Sequence, residues 1–243
     1  ALDAAGHPAL LFVDGVSSIG CIDFRMEEWG VDLAVTGSQK GLMLPAGLGI
    51  LGVSRKALEA SKTATHRRAY FHLGDMVAMN ATGYFPYTPP TQLLHGLAAA
   101  LARIDAEGHE TIVARHRRLA EGVRRGVAAW GLELCAENPG EYSDTVSAIR
   151  TPEGVDARDV IRIAFERYNT AFGSGLSQLA GKVFRIGHIG DFSEGMVLTA
   201  LSIAEMCLAE AGAKVRFGSG VAAAQDWFAD ALGTRAAKKI AAE

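Results

Sequence analysis

Between Asp32 and Arg55 the only charged residue is Lys40. It stands in Gly37-Ser38-Gln39-Lys40-Gly41, after the apolar run Leu33-Ala34-Val35 and before the apolar residues 42–53. A buried ammonium loses its hydration, so a lysine in such surroundings either reaches out to water or serves chemistry that needs a lowered pKa. The chemistry best suited to it is attack of the free amine on a carbonyl carbon to form a Schiff base. The plainer alternative is a solvated lysine in a glycine-rich turn.

Asp14 is the second candidate. It closes the run Ala9-Leu10-Leu11-Phe12-Val13, much as Lys40 follows Asp32-Leu33-Ala34-Val35-Thr36-Gly37. Apolar runs without alternation read as strands buried on both faces, the habit of parallel sheets covered by helices. Residues 24–30 (FRMEEWG) are a short helical crossover candidate, so residues 9–37 read as a βαβ unit. Right-handed crossovers bring the C-terminal ends of such strands to one edge, where α/β sheets bind ligands. Asp14 and Lys40 are therefore expected on one edge of the sheet. An acid and a lysine in an otherwise apolar pocket suit pyridoxal 5'-phosphate: the lysine condenses with its aldehyde, and the carboxylate pairs with the pyridinium nitrogen. A structural ion pair, or an aspartate that only caps the turn before Gly15, would account for the same two residues.

The rest of the chain supplies the scaffold. Residues 48–53 read as a third buried strand, and Ser54 as the N-cap of a short helix through Ala60. Residues 61–88 lack clean periodicity and are punctuated by Gly74, Gly83 and Pro86, so a loop-rich stretch is expected. Pro89-Pro90 opens a helix carrying Leu93, Leu94, Leu97, Ala98, Leu101 and Ile104 at helical spacing. After Gly108 a second helix spans residues 110–130, with Arg115, Arg117, Arg118, Arg124 and Arg125 on a polar face expected to be solvated. The texture then turns α+β. A half-buried strand covers 146–149, a helix capped by Asp156 covers 157–168, a strand covers 183–187 and an amphipathic helix covers 194–211. A helical tail at 222–232 ends in basic residues expected to be mobile. The expected domains are residues 1–110 and residues 111–243.

Composition narrows the function classes. The 243 residues are 49% hydrophobic with a net charge of −3, and acids and bases are interspersed. Nothing in that balance favours nucleic acid or an anionic membrane as the main partner. Cys21, Cys135 and Cys207 lie far apart with no CxxC and no histidine pairing, so no metal or disulfide framework is expected. They read as small buried hydrophobes in a reducing, cytoplasmic compartment. Residues 42–53 are too short to span a bilayer and are interrupted by Pro45.

Four separated motifs extend the reading. Val13-Asp14-Gly15-Val16-Ser17-Ser18-Ile19-Gly20 followed by Thr36-Gly37-Ser38-Gln39-Lys40-Gly41 resembles the class V aminotransferases of the fold-type I pyridoxal phosphate group. Leu44-Pro45-Ala46-Gly47-Leu48-Gly49, Tyr87-Thr88-Pro89-Pro90-Thr91-Gln92-Leu93, and Gly181 to Gly190 (GKVFRIGHIG) are similar to serine–glyoxylate and alanine–glyoxylate aminotransferases. The resemblance runs in order from about residue 8 to about residue 206. It implies an α/β fold: a mostly parallel large-domain sheet with helices on both faces, a smaller C-terminal α+β domain, and an N-terminal part of the large domain that this chain lacks. It also implies roles. Lys40 would hold the cofactor and shuttle protons, Asp14 would pair with the ring nitrogen, Val16 would pack under the ring and Gln39 would bond near the phosphate. Thr88 would contact the phosphate from a neighbouring subunit, helped by Tyr87 or Tyr84, so a homodimer is implied. Arg185 would grip the substrate carboxylate, a task suited to a planar bidentate donor.

The implied reaction moves the amino group of L-serine to glyoxylate, giving hydroxypyruvate and glycine. An alanine–glyoxylate or serine–pyruvate transaminase, a cysteine desulfurase, and a truncated half serving only as an interaction domain are the rival readings. Gln39 rather than histidine precedes Lys40, which weighs against the desulfurase. Gly47-Leu48-Gly49-Ile50-Leu51-Gly52 matches the dinucleotide pattern G-x-G-x-x-G, but its glycines fall inside a strand-like run and not in a turn into a helix.

Overall fold

A computed structural model describes residue 2 and residues 4–240, with side chains described as far as residue 230. The chain forms two compact units, Ala1–His109 and Glu110–Glu243. Among the described residues no helix is long and apolar enough to cross a membrane.

The first unit is built on a sheet of order β1-β2-β3, with β1 at Phe12–Asp14, β2 at Leu33–Gly37 and β3 at Gly49–Val53. β1 and β2 are parallel, pairing Asp14 with Val35. β3 joins β2 antiparallel, pairing Gly37 with Gly49. A parallel partner would need a long crossover, whereas residues 38–48 return the chain directly beside β2. The third strand expected at residues 48–53 is present, and its direction, which the sequence reading left open, is antiparallel. β1 and β3 also alternate between intermediate and exposed residues, and Phe12 is 58% exposed, so they are not strands buried on both faces within this chain.

The expected crossover helix is a set of turns. Trp29 N donates to Arg25 O, and Val31 N to Met26 O, before Gly30 turns away at φ 64°. A segment this short closes too few hydrogen bonds to repay helix nucleation. Asp32 organises this corner instead. Its buried carboxylate accepts from Leu11 N (2.9 Å), Ser54 Oγ (3.1 Å) and Lys56 Nζ (3.2 Å). The Leu11 N–H, more than the lysine, holds that carboxyl below its ordinary pKa.

Helix α1 (Arg55–Thr63) starts at Ser54, whose Oγ accepts from Ala57 N as expected of an N-cap. Helix α2 (Leu73–Asn80) falls within the stretch expected to be loop-rich. It has no buried residue, so no apolar stripe announces it. Helix α3 (Thr91–Glu107) follows Pro90.

The second unit packs helices α4 (His109–Ala129, its first residue in the first unit), α5 (Ala157–Tyr168), α6 (Glu194–Glu210) and α7 (Ser219–Ile240) around an antiparallel sheet. Its strands are β4 (Val146–Arg150), β5 (Gly173–Ser174) and β6 (Val183–Gly187), in the order β4-β6-β5. Leu119, Val123, Ile149, Val160, Phe184, Leu201 and Leu208 form the heart of the core. Asp156 caps α5 through its bond from Arg158 N. α7 continues through the stretch read as a mobile tail, and residues 241–243 lie outside the described residues.

The arginine face of α4 is only partly solvated. Arg115 Nη1 donates to the carbonyls of Gly190 (2.9 Å) and Phe192 (3.0 Å), Arg118 pairs with Glu194, and Arg124 pairs with Asp144 at 2.6 Å. Arg117 and Arg125 stay exposed. The expectation of a solvated face fails because the segment after β6 offers carbonyls and carboxylates that sequence spacing does not reveal.

Candidate active site

Lys40 lies in the turn that follows β2, half-buried. No hydrogen bond or ion pair engages its amine among the described residues. The turn is tight. Met43 N donates to Lys40 O at 3.0 Å, and Met43 itself takes the left-handed conformation at φ 59°. A side chain on Gly41 would collide with the Ile19 carbonyl and sit 3.0 Å from Cys21 Sγ, so only glycine lets these two turns touch.

Asp14 ends the neighbouring parallel strand. Its Oδ1 accepts from Val16 N at 3.0 Å, and the side chain is otherwise exposed, without a bond at Oδ2 among the described residues. Gly15 N then donates to Val35 O, keeping the chain beside β2 beyond the strand end. Asp14, Val16, Gln39 and Lys40 thus all follow the C-terminal ends of one parallel pair, β1 and β2. Gln39 is exposed and Val16 half-buried. In the strand leading to Lys40, Thr36 Oγ1 is buried without a partner.

Tyr84, Tyr87 and Thr88 are exposed and bond within their own segment or not at all. Tyr87 Oη donates to Ala69 O at 3.1 Å and its ring stacks on Tyr70 at 4.7 Å. No hydrogen bond joins these three residues to Asp14 or Lys40 among the described residues.

Arg185 sits in the middle of β6 in the second unit, opposite Ala148 of β4 and Gly173 of β5. A Cβ on Gly173 would lie 3.0 Å from Arg185 Nε, so glycine leaves the guanidinium its room. That Nε is buried with no acceptor, and no carboxylate pairs with the group among the described residues. Arg185 itself is only half-buried, so the unmet donor is its Nε, and a ligand carboxylate is the acceptor that best matches the guanidinium fork.

Three polar groups escaped the sequence reading. Ser38 is fully buried behind Lys40. His188 and Ser147 are buried and share a 3.0 Å hydrogen bond. A histidine in the largely apolar stretch that follows Arg185 was the available signal for the pair, while nothing in sequence marks Ser38 apart from its place two residues before the lysine. Of the G-x-G-x-x-G glycines, Gly47 precedes β3 while Gly49 and Gly52 lie within it, which leaves no turn into a helix to hold a dinucleotide.

The Aminotransferase class-V family matches residues 3–184. The chain is 58% identical to an L-aspartate–glyoxylate aminotransferase of Paracoccus denitrificans, over 100% of this chain and 61% of that protein. It is 57% identical to a serine–glyoxylate aminotransferase of Hyphomicrobium methylovorum, over 94% of this chain and 57% of that one. Among solved structures, a pyridoxamine–pyruvate aminotransferase from Mesorhizobium loti superposes with a TM-score of 0.87 at 34% identity, covering 94% of this chain and 59% of its own. The chain thus spans about three fifths of the length of the relatives it matches.

Proposed function

Because the chain belongs to the class-V aminotransferase family, we propose that it acts as a pyridoxal phosphate-dependent transaminase taking the amino group of L-serine to glyoxylate, with hydroxypyruvate and glycine as products. One observation carries the reading: an unengaged lysine amine and an aspartate with a free carboxylate oxygen follow the ends of one parallel strand pair. Those residues fit the cofactor, since a free amine and a free carboxylate are the groups its aldehyde and ring nitrogen need.

When bound, pyridoxal phosphate supplies an aldehyde carbon open to amines and a ring that accepts electrons from the α-carbon. Lys40 Nζ takes the proton from the α-carbon of the amino donor and, in the second half of the cycle, returns one to the α-carbon of the keto acid. Asp14 would accept a hydrogen bond from the protonated ring nitrogen. Val16 would pack under the ring, and Gln39 would bond near the phosphate. Thr88, with Tyr87 or Tyr84, would serve the phosphate across a homodimer interface. Arg185 would grip the substrate carboxylate with two parallel N–H bonds. The protein works in the cytoplasm, a placement supported by its dispersed free cysteines.

A second donor is favoured by a specific observation: the Paracoccus relative, at 58% identity, bears the name of an aspartate enzyme. Comparing transamination rates of glyoxylate with L-serine and with L-aspartate separates the two readings. The test of the function itself is an absorbance spectrum of the purified protein with its intact mass. A visible band that shifts on adding L-serine is expected. A protein of this chain's mass alone, without the band after incubation with the cofactor, would overturn the reading.

A further inference from the structure

Ser38 is fully buried at the neck of the loop that carries Lys40. Its main chain closes the loop twice: Ser38 N donates to Leu48 O at 3.1 Å, and Leu44 N donates to Ser38 O at 3.0 Å. Its hydroxyl closes it twice more, donating to Pro45 O at 2.7 Å and accepting from Leu48 N at 3.1 Å. Only a hydroxyl can give and take at one atom here, and an apolar replacement would strand a backbone donor and an acceptor. The loop has little other slack. Met43 is held at φ 59°, and Gly41 is wedged against the Ile19 carbonyl. Lys40 rides between these fixed points, two residues beyond Ser38.

We propose that Ser38 is a positioning residue for Lys40, its hydroxyl fixing the direction in which the amine leaves the loop. The inference rests on Lys40 being the cofactor lysine. The lysine must meet the donor α-carbon in one half of the cycle and the keto acid α-carbon in the other, and a misplacement of about 1 Å costs on the order of 100-fold in rate. The Ser38 hydroxyl acts at a distance from the chemistry, through the loop.

The test compares Ser38→Ala, Ser38→Thr and Ser38→Cys in the full chain loaded with cofactor. Ser38→Ala is expected to keep its cofactor content while kcat falls about 10- to 100-fold and KM for the amino donor changes less than about 2-fold. The pH midpoint of the lysine–cofactor absorbance band should move with it. Ser38→Thr, which keeps the hydroxyl, should restore kcat to within about 3-fold, and Ser38→Cys should fall between. In cofactor-free protein, amide exchange at Leu44 and Leu48 should quicken by about 10-fold or more in the alanine variant and much less in the threonine variant. An alanine variant with unchanged kcat and band midpoint would overturn the proposal. So would a kcat loss matched by an equal loss of bound cofactor. If alanine prevents folding, a cysteine variant with wild-type kcat and midpoint overturns it equally. A Lys40→Ala variant that keeps the band would instead refute the lysine assignment, and the role of Ser38 with it.

Discussion

Ser147 Oγ and His188 Nε2 lie 3.0 Å apart, both buried, joining β4 to the segment that follows β6. His188 Nδ1 donates to Asp144 O at 3.1 Å, so in the neutral ring Nε2 is the acceptor and the serine hydroxyl the donor. The histidine is therefore tied in as a neutral group three residues beyond Arg185.

This pair predicts a pH dependence. Burial holds the His188 pKa down at about 4 against an ordinary 6.5, with Arg124 and His116 adding to the effect and Asp144 opposing it. The unfolded chain binds the proton first as pH falls, so the stabilisation is full above about pH 6.5 and drains away towards about pH 4. The full effect is on the order of 3 kcal/mol. Urea midpoints measured across that range should fall steeply for the wild type and more gently for His188→Gln. Equal slopes would remove His188 as the cause.

Lys40→Ala should abolish transamination, lowering turnover by at least about 1,000-fold, and should remove the absorbance band. Single-turnover kinetics with L-serine check it. A variant retaining full turnover would falsify the mechanism.

Arg185→Ala should raise KM about 10- to 100-fold for amino donor and keto acid alike, because both present a carboxylate to the same guanidinium. A fall in kcat should accompany it, since a misplaced carboxylate misplaces the α-proton. Steady-state kinetics with each substrate varied in turn decide the matter. An unchanged KM for both would end the assigned role. Gly173→Ala should weaken binding in the same direction, as its Cβ would crowd Arg185 Nε.

Glu205 is the buried hub of the second unit. Its carboxylate accepts from Trp130 Nε1 at 2.9 Å and from the Gly218 and Gly220 N–H groups at 2.7 Å each. Those last two donors belong to the start of α7, where a carboxylate also meets the positive end of the helix dipole. Glu205→Leu leaves all three donors without an acceptor and should cost about 3 kcal/mol. Chemical denaturation followed by tryptophan fluorescence measures it. A loss below about 1 kcal/mol would show that the donors find other partners.

Much of the second unit was legible in the sequence because its signals are local. The Asp156 cap and α5, the alternating β4 and the apolar β6 depend on residues a few positions apart. In the first unit the lone Lys40 and the strand-ending Asp14 could be picked out by composition, and both follow the C-terminal ends of β1 and β2. The sequence could not choose between Tyr84 and Tyr87, since both stand in an exposed segment without periodicity. What tertiary structure alone decided depends on partners brought together from afar. The antiparallel turn-back of β3, the anchoring of Arg115 and Arg118 to the segment after β6, and the bond between Ser147 and His188 are of this kind. A helix cap or an amphipathic stripe is specified by neighbours in the chain. A buried hydroxyl or guanidinium is assigned its partner only when distant segments close around it and water is gone.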